Sequence, residues 1–389
     1  MKLYKYILIS LIGIILLPTS CIIPFEPQGV KDTEGILVVE GMIMETGTTI
    51  TLSRTVSIYN EKSDTFFEDL VDNVRVHVID DRNHVVAVAT QQIIDGKKSP
   101  VYTVPGEITF TPGSKYALDI QIGEKRYQSA FVSPVRTPEI DEINWRKNTN
   151  GSIDIMVSTH DPENKTEYYR WAFEEDWEIM SYLFGYYRYE HTTDEVIEQS
   201  MYTSNNRYYC WASDKSKAIL LGTSDKLTEA TIKDKVIHNF PSNNTRFSYL
   251  YSILVRQYSL DKEAYTYFEN LQKNIELSGS LFAPILSEIR GNITCLTNPE
   301  EPVIGYIAAT NEVKTRIFIN MADIEGEDLY NCGAKRFLTR SQLGNLFTLN
   351  YGIETYLDVI YICAPIRCVD CTARGGTKNK PDFWPNDHL

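Results

Sequence analysis

Two β domains in series, joined to one helix and long loops, are what this sequence predicts. Short segments whose apolar residues alternate with period two recur along most of the chain, and only one stretch shows helical spacing. Aromatic residues make up 12%, with 25 tyrosines, a composition that suits strands and recognition surfaces. The chain has 389 residues, 43% hydrophobic and 23% charged, enough apolar surface for ordinary globular cores; at roughly 150 residues per domain it holds two or three.

Residues 1–20 are an address. Lys2 and Lys5 give a basic start, Tyr6 to Leu17 is nearly all apolar, and Pro18-Thr19-Ser20 leads into Cys21. Twelve apolar residues rise only about 18 Å as a helix, short of the roughly 30 Å hydrocarbon core, so this reads as a secretory signal peptide rather than a span. A cysteine in that place resembles a bacterial lipobox, which implies diacylation of the Cys21 thiol and two or three acyl chains that anchor firmly where one would not. Residues 21–35, with Pro24, Pro27 and Gly29, read as a tether.

From Ile36 the texture is that of strands. Ile36 to Gly41 is β-branched, Val74 to Val78 alternates, and so do Tyr116, Leu118, Ile120 and Ile122. Asp95-Gly96 and Pro112-Gly113 punctuate the runs as turns. A sandwich over 36–137 is the economical reading. A second β domain over 138–362 starts with the strand-like Ile153 to Val157 and continues with Tyr168 to Trp177, Phe247 to Tyr258, Val303 to Ala308 and Val313 to Ile319. Its one helix is expected near 260–278: Ser259 as N-cap, Asp261 and Glu263 at the positive end, Ala264, Phe268, Leu271 and Ile275 on one face, and Gly279 to close it. Residues 178–246 read as an aromatic insertion of loops or a hairpin, and 363–389 as a cysteine-rich C-terminal segment.

Charge and motifs exclude more than they select. Lys+Arg 38 against Asp+Glu 52 leaves a formal net charge of −14 with no basic run, which argues against a nucleic-acid partner held through phosphates. No nucleophile elbow, phosphate loop, dinucleotide fingerprint or helical zinc motif occurs, so no catalytic residue and no cofactor is assigned. His77 is expected on a solvent face between valines, and Asp161-Pro162 beside His160 reads as a turn. Six cysteines follow Cys21: Cys210, Cys295, Cys332, Cys363, Cys368 and Cys371. Outside the cytoplasm an even number favours disulfides, with fifteen connectivities open. Cys363, Cys368 and Cys371, with His388, would read as zinc ligands in a cytosolic chain; local disulfides and free thiols are the other readings. Asn243-Asn244-Thr245 and Asn292-Ile293-Thr294 match the glycosylation pattern by chance.

Aromatic density is the unusual feature, with fourteen Phe, Trp or Tyr residues between Tyr168 and Trp211. Packing in a core is one explanation. The other is an amphipathic platform for a ligand or partner, with Tyr182, Tyr186, Tyr187, Tyr189 and Trp211 as candidates, because a rigid ring with a polar tip binds at low entropic cost.

The order of several segments carries a family resemblance. Cys21 with Pro24-Phe25-Glu26-Pro27, then Leu37 to Gly41, Thr51-Leu52-Ser53-Arg54, Ser259 to Tyr267, Gly291-Asn292-Ile293, Gly305-Tyr306, and the ending Cys368-Val369-Asp370-Cys371, Gly375-Gly376-Thr377 and Lys380 to Pro385 resemble the Bacteroidetes lipoproteins called domain of unknown function 4249. The resemblance implies an Ig-like, carboxypeptidase-regulatory-like sandwich followed by a larger fibronectin-like β domain. It also implies an outer-membrane lipoprotein, held in lipid through Cys21, that partners a TonB-dependent receptor in nutrient uptake without being an enzyme. No acidic run follows Cys21, so either the cell-surface or the periplasmic face is expected. A structural or adhesive envelope protein is the alternative, and an extracytoplasmic hydrolase the next.

Overall fold

The computed structural model describes residues 35–55, 73–202, 206–227, 229–242, 244–277, 291–324 and 332–385. Cys21, the signal peptide, the tether up to residue 34, Asn243, Gly279 and His388 lie outside the described residues. The chain is mainly β, with two sandwiches and a small C-terminal module.

The first sandwich uses β1 (Leu37–Met44), β2 (Thr49–Arg54), β3 (Val74–Asp80), β4 (Val85–Ile94), β5 (Lys97–Thr103), β6 (Tyr116–Ile122) and β7 (Lys125–Ser129). Alternation does the work: Val76 and Val78 are buried while His77 between them is partly exposed, as the period-two pattern requires. Strand β4 pairs with β3 through Val88 and Ala89 and then with β5 from Thr90 onward, so it crosses from one layer to the other. Between the layers lie Leu37, Val39, Ile50, Leu52, Leu118, Ile120 and Tyr127.

The second sandwich follows with β8 (Ile140–Lys147), β9 (Ile153–His160) and β10 (Tyr168–Met180), a hairpin of β11 (Tyr187–Glu190) and β12 (Glu195–Glu198), then β13 (Tyr209–Lys215), β14 (Leu220–Thr223), β15 (Thr231–Phe240) and β16 (Leu250–Leu260). Helix α1 (Lys262–Leu277), β17 (Ile293–Cys295), β18 (Val303–Ile304) and β19 (Ala308–Thr310) come next along the chain, and β20 (Glu312–Asn320) completes the second sandwich. One sheet runs β15-β9-β8 and the other β13-β10-β16-β20, the order of a fibronectin-like sandwich. Ile155, Val157, Tyr169, Trp171, Phe240, Tyr251 and Ile253 fill the space between them.

Three differences from the sequence reading have physical reasons. Strands β17, β18 and β19, expected in the second domain, hydrogen-bond into the first sheet against β7 and β1. Which sheet edge a short strand joins is a tertiary matter that its own period does not encode. There Gly291 and Gly305 meet backbone to backbone: a Cβ on Gly291 would lie 1.6 Å from the Gly305 carbonyl oxygen. Asn292 bonds the Ile307 backbone through its side chain, so its amide serves the fold.

Second, β13 to β15 are sandwich strands although they lie in the expected insertion 178–246. Register shifts between Ile232 and Lys235 and between Val236 and His238 break the alternation of β15 and hide it. Third, the N-cap of α1 is Asp261, whose Oδ1 accepts from the Ala264 N–H at 2.7 Å, while Ser259 lies inside β16. Ala264 and Phe268 of the expected face are buried, Leu271 is partly buried and Ile275 is exposed.

Candidate functional site

After β20 the chain builds a small module from β21 (Arg336–Leu338), β22 (Tyr351–Leu357) and β23 (Ile360–Pro365), in the order β21-β23-β22. The expected boundary at 363 falls inside β23. The module leans on the β11–β12 hairpin, which interrupts the fibronectin-like sandwich between β10 and β13. Their shared core is Leu343, Leu346, Ile353 and Cys363, with Tyr187, Tyr189, Val196 and Tyr351 packed against it. Gly185 permits the approach, since a Cβ there would stand 3.0 Å from the Ile353 carbonyl oxygen.

Two disulfides staple the module. Cys210 of β13 joins Cys371, and Cys332 joins Cys368, with Cα atoms 5.6 and 5.9 Å apart. Cys295 and Cys363 are buried free thiols. Thus Cys368 and Cys371 each pair over a distance rather than with each other or Cys363, and the three are not ligands of one zinc. Burial first, and the Glu354 charge second, pushes the Cys363 thiol up to about 11. Arg207 closes the seam, donating to Asp370 at 2.8 Å and to Thr372 at 3.0 Å.

Between hairpin and module opens a cleft of about 500 Å³. Tyr187, Tyr189 and His191 form one wall and Phe347, Asn350 and Tyr351 the other, with Arg188, Glu190, Arg207 and Asp370 as its charges. Phe347 is 83% exposed, a bare phenyl ring at the cleft. Asn350 adopts φ 58°, the left-handed conformation that ends the helical turn Leu346–Leu349 and swings Tyr351 into β22. The Tyr189 hydroxyl donates to Asp194 at 2.6 Å, and Arg340 donates to the same oxygen at 3.0 Å while lying 5.5 Å from the Tyr189 ring. The Tyr189 hydrogen bond holds Asp194 below the usual carboxylate range, and that bond to Asp194 raises the Tyr189 phenol. An aromatic, half-open cleft with a few fixed polar groups is suited to holding a ligand or a projecting side chain of a partner.

Of the five aromatic candidates, Tyr187 and Tyr189 line this cleft. Tyr186 is 51% exposed, set edge-on against buried Phe184 at 4.9 Å. Tyr182 packs on the module with the Arg374 guanidinium 4.6 Å from its ring centre. Trp211 lies elsewhere, on β13, exchanging backbone hydrogen bonds of 2.9 and 2.8 Å with Thr377. Phe347, Tyr351 and Asn350 were missed, and their only signal is an Asn ahead of Tyr-Gly in a stretch with no period.

Among the described residues the histidines do not converge on chemistry. His160 pairs with Asp141 at 2.7 Å, while Asp161 caps the following loop through the N–H groups of Glu163, Lys165 and Thr166. His238 stands 3.8 Å from Glu175, a carboxylate already held by Arg246 and Tyr251, and burial lowers its pKa. Among the described residues no three His, Cys, Asp or Glu side chains are grouped to hold a metal, and no helix is long and apolar enough to cross a membrane.

A family model described as "Domain of unknown function (DUF4249)" matches residues 22–316, well over half of the chain. The match begins one residue after Cys21 and ends inside β20, ahead of the disulfide-bonded module. No curated protein matches the chain.

Proposed function

Because the chain belongs to the DUF4249 family, we propose that it is an outer-membrane lipoprotein, anchored through Cys21, that serves as a non-enzymatic binding partner of a TonB-dependent receptor in nutrient uptake. The observation that carries this reading is the cleft between the aromatic hairpin and the stapled module. A chain that needed those rings only for packing would bury them, whereas Phe347 stands largely in water and Tyr187 and Tyr189 turn toward the cleft. The hairpin interrupts a sandwich whose core is complete without it, and inserted segments on rigid scaffolds are where binding residues concentrate. Two disulfides in the module agree with an oxidising compartment, and the lipobox-like end of the leader supplies the anchor.

The test is purification of the tagged native protein from outer membranes in mild detergent, with mass spectrometry of the Cys21 peptide and of what accompanies it. Acylated Cys21 and a co-purifying β-barrel receptor are expected. Surface display with no barrel partner would favour the adhesive reading, and turnover of a peptide or glycan by the purified protein would favour a hydrolase.

A further inference from the structure

The end of the first sandwich where the chain enters carries a second feature. Thr49, Ile50 and Thr51 of β2 pair with Thr103, Tyr102 and Val101 of β5, so β2 runs toward Arg54 as β5 is followed back toward Lys97. Arg54 in turn pairs with Leu37 and donates to the Gly35 carbonyl at 2.8 Å. The β4–β5 hairpin tip and the point where the preceding chain joins the fold therefore share one end of the sheet.

That tip is Ile93-Ile94-Asp95-Gly96-Lys97-Lys98. Asp95 and Gly96 both have positive φ, 51° and 74°, the backbone of a tight two-residue hairpin turn, and Ile94 pairs with Lys97 and Ile93 with Lys98. Adjacent strand residues point to opposite faces, so one isoleucine of the pair should reach the core. Neither does: Ile93 is 70% and Ile94 54% exposed, and the hairpin projects past the sandwich with apolar side chains on both faces. In a chain of net charge −14, this tip carries two lysines against one aspartate.

We infer that the β4–β5 hairpin is a membrane-docking element, its two isoleucines entering the interfacial region of a bilayer while Lys97 and Lys98 meet lipid phosphates. The occupant is a lipid surface because of where the chain outside the structure ends. The inference rests on the proposed anchor: the fourteen peptide steps from Cys21 to Gly35 reach at most about 50 Å, so acyl chains on Cys21 keep this end of the first domain within that distance of lipid. Apolar side chains flanked by lysines are the composition that lies in the headgroup boundary.

The experiment uses the chain from Cys21, its thiol coupled to a maleimide-phospholipid in vesicles of phosphatidylethanolamine with a minority of phosphatidylglycerol. The other free cysteines of the described residues are buried, and coupling makes the result independent of acylation in the cell, which is read separately from the mass of native Cys21. Ile94→Trp, or Ile93→Trp as a second variant, adds an indole at an exposed position, so the melting temperature should not move. Acyl-chain-brominated lipid is expected to quench the added emission about twofold relative to the parent protein. Lys97→Glu with Lys98→Glu in the same background should relieve that quenching. Unquenched indoles at both 93 and 94 on the coupled, folded protein would overturn the proposal, including the case in which the hairpin serves a protein partner instead.

Discussion

Replacing Cys210 and Cys371 together by alanine should make the C-terminal module open more often from the fibronectin-like sandwich while leaving both sandwiches folded. The bond spans a sequence separation of 161 residues, and for global unfolding the chain-entropy relation gives about 5 kcal/mol. Local release is easier, because the sandwich stays folded, Ile324 in its core included, and only the chain after Ile324 is freed. For about 50 residues the same relation gives roughly 4 kcal/mol. The Trp211–Thr377 backbone pair and the Arg207–Asp370 ion pair still hold the seam in the variant, so the module remains docked but opens more often. Even half of that energy, about 2 kcal/mol, raises the open population roughly thirtyfold. Limited proteolysis without reductant reads this directly, since cleavage follows the open population when closing is fast. Cleavage beyond residue 324 should accelerate at least tenfold and yield a fragment that retains the first two domains. Cleavage unchanged from the parent, with the module as resistant as before, would show that the disulfide does not hold it.

Other outcomes follow from single sites. Cys363, with its thiol near 11, should resist thiol reagents at pH 8 in the folded protein, and unfolding without reduction should expose two thiols beyond Cys21. Ile353→Ala, buried in the hairpin–module core, should cost about 2–4 kcal/mol in denaturant titration, whereas Phe347→Ser should stay within about 0.5 kcal/mol. Asp154 accepts from Asn148, Asn239 and Arg146, which hold its carboxyl below the usual range. Its stabilisation is therefore present above the unfolded pKa of about 3.9 and lost as pH falls through the lower folded value. Asp154→Asn should be less stable at pH 7 by about 2 kcal/mol, and the gap should close in acid, as thermal melts across pH would record.

How much of this was legible depended on whether the information was local. Strands β3 and β6 follow from alternation, and α1 from a face of Ala264, Phe268 and Leu271, because one buried side imposes its period on the residues themselves; β9, β10 and β20 were visible as strand-like apolar runs. Strand β15 escaped because its bulges shift the period, and the sheet that β17 to β19 join escaped because edge choice is settled by the partner sheet. Disulfide partners lie 161 and 36 residues apart, beyond what spacing can rank. Half of the cleft was visible as aromatic density around Tyr187 and Tyr189. Its other wall, Phe347 to Tyr351, comes from a turn whose only mark is the left-handed Asn350.

The most direct test of the proposed role is receptor association measured on the Phe347→Ser protein, acylated and purified from outer membranes beside the parent. Phe347 supports no core, so folding, anchoring and disulfides should be unchanged. Loss of an exposed aromatic anchor should weaken association with the co-purifying barrel by about tenfold or more. Retention of the barrel at parental affinity by the folded variant would contradict the assignment of the cleft as the partner site.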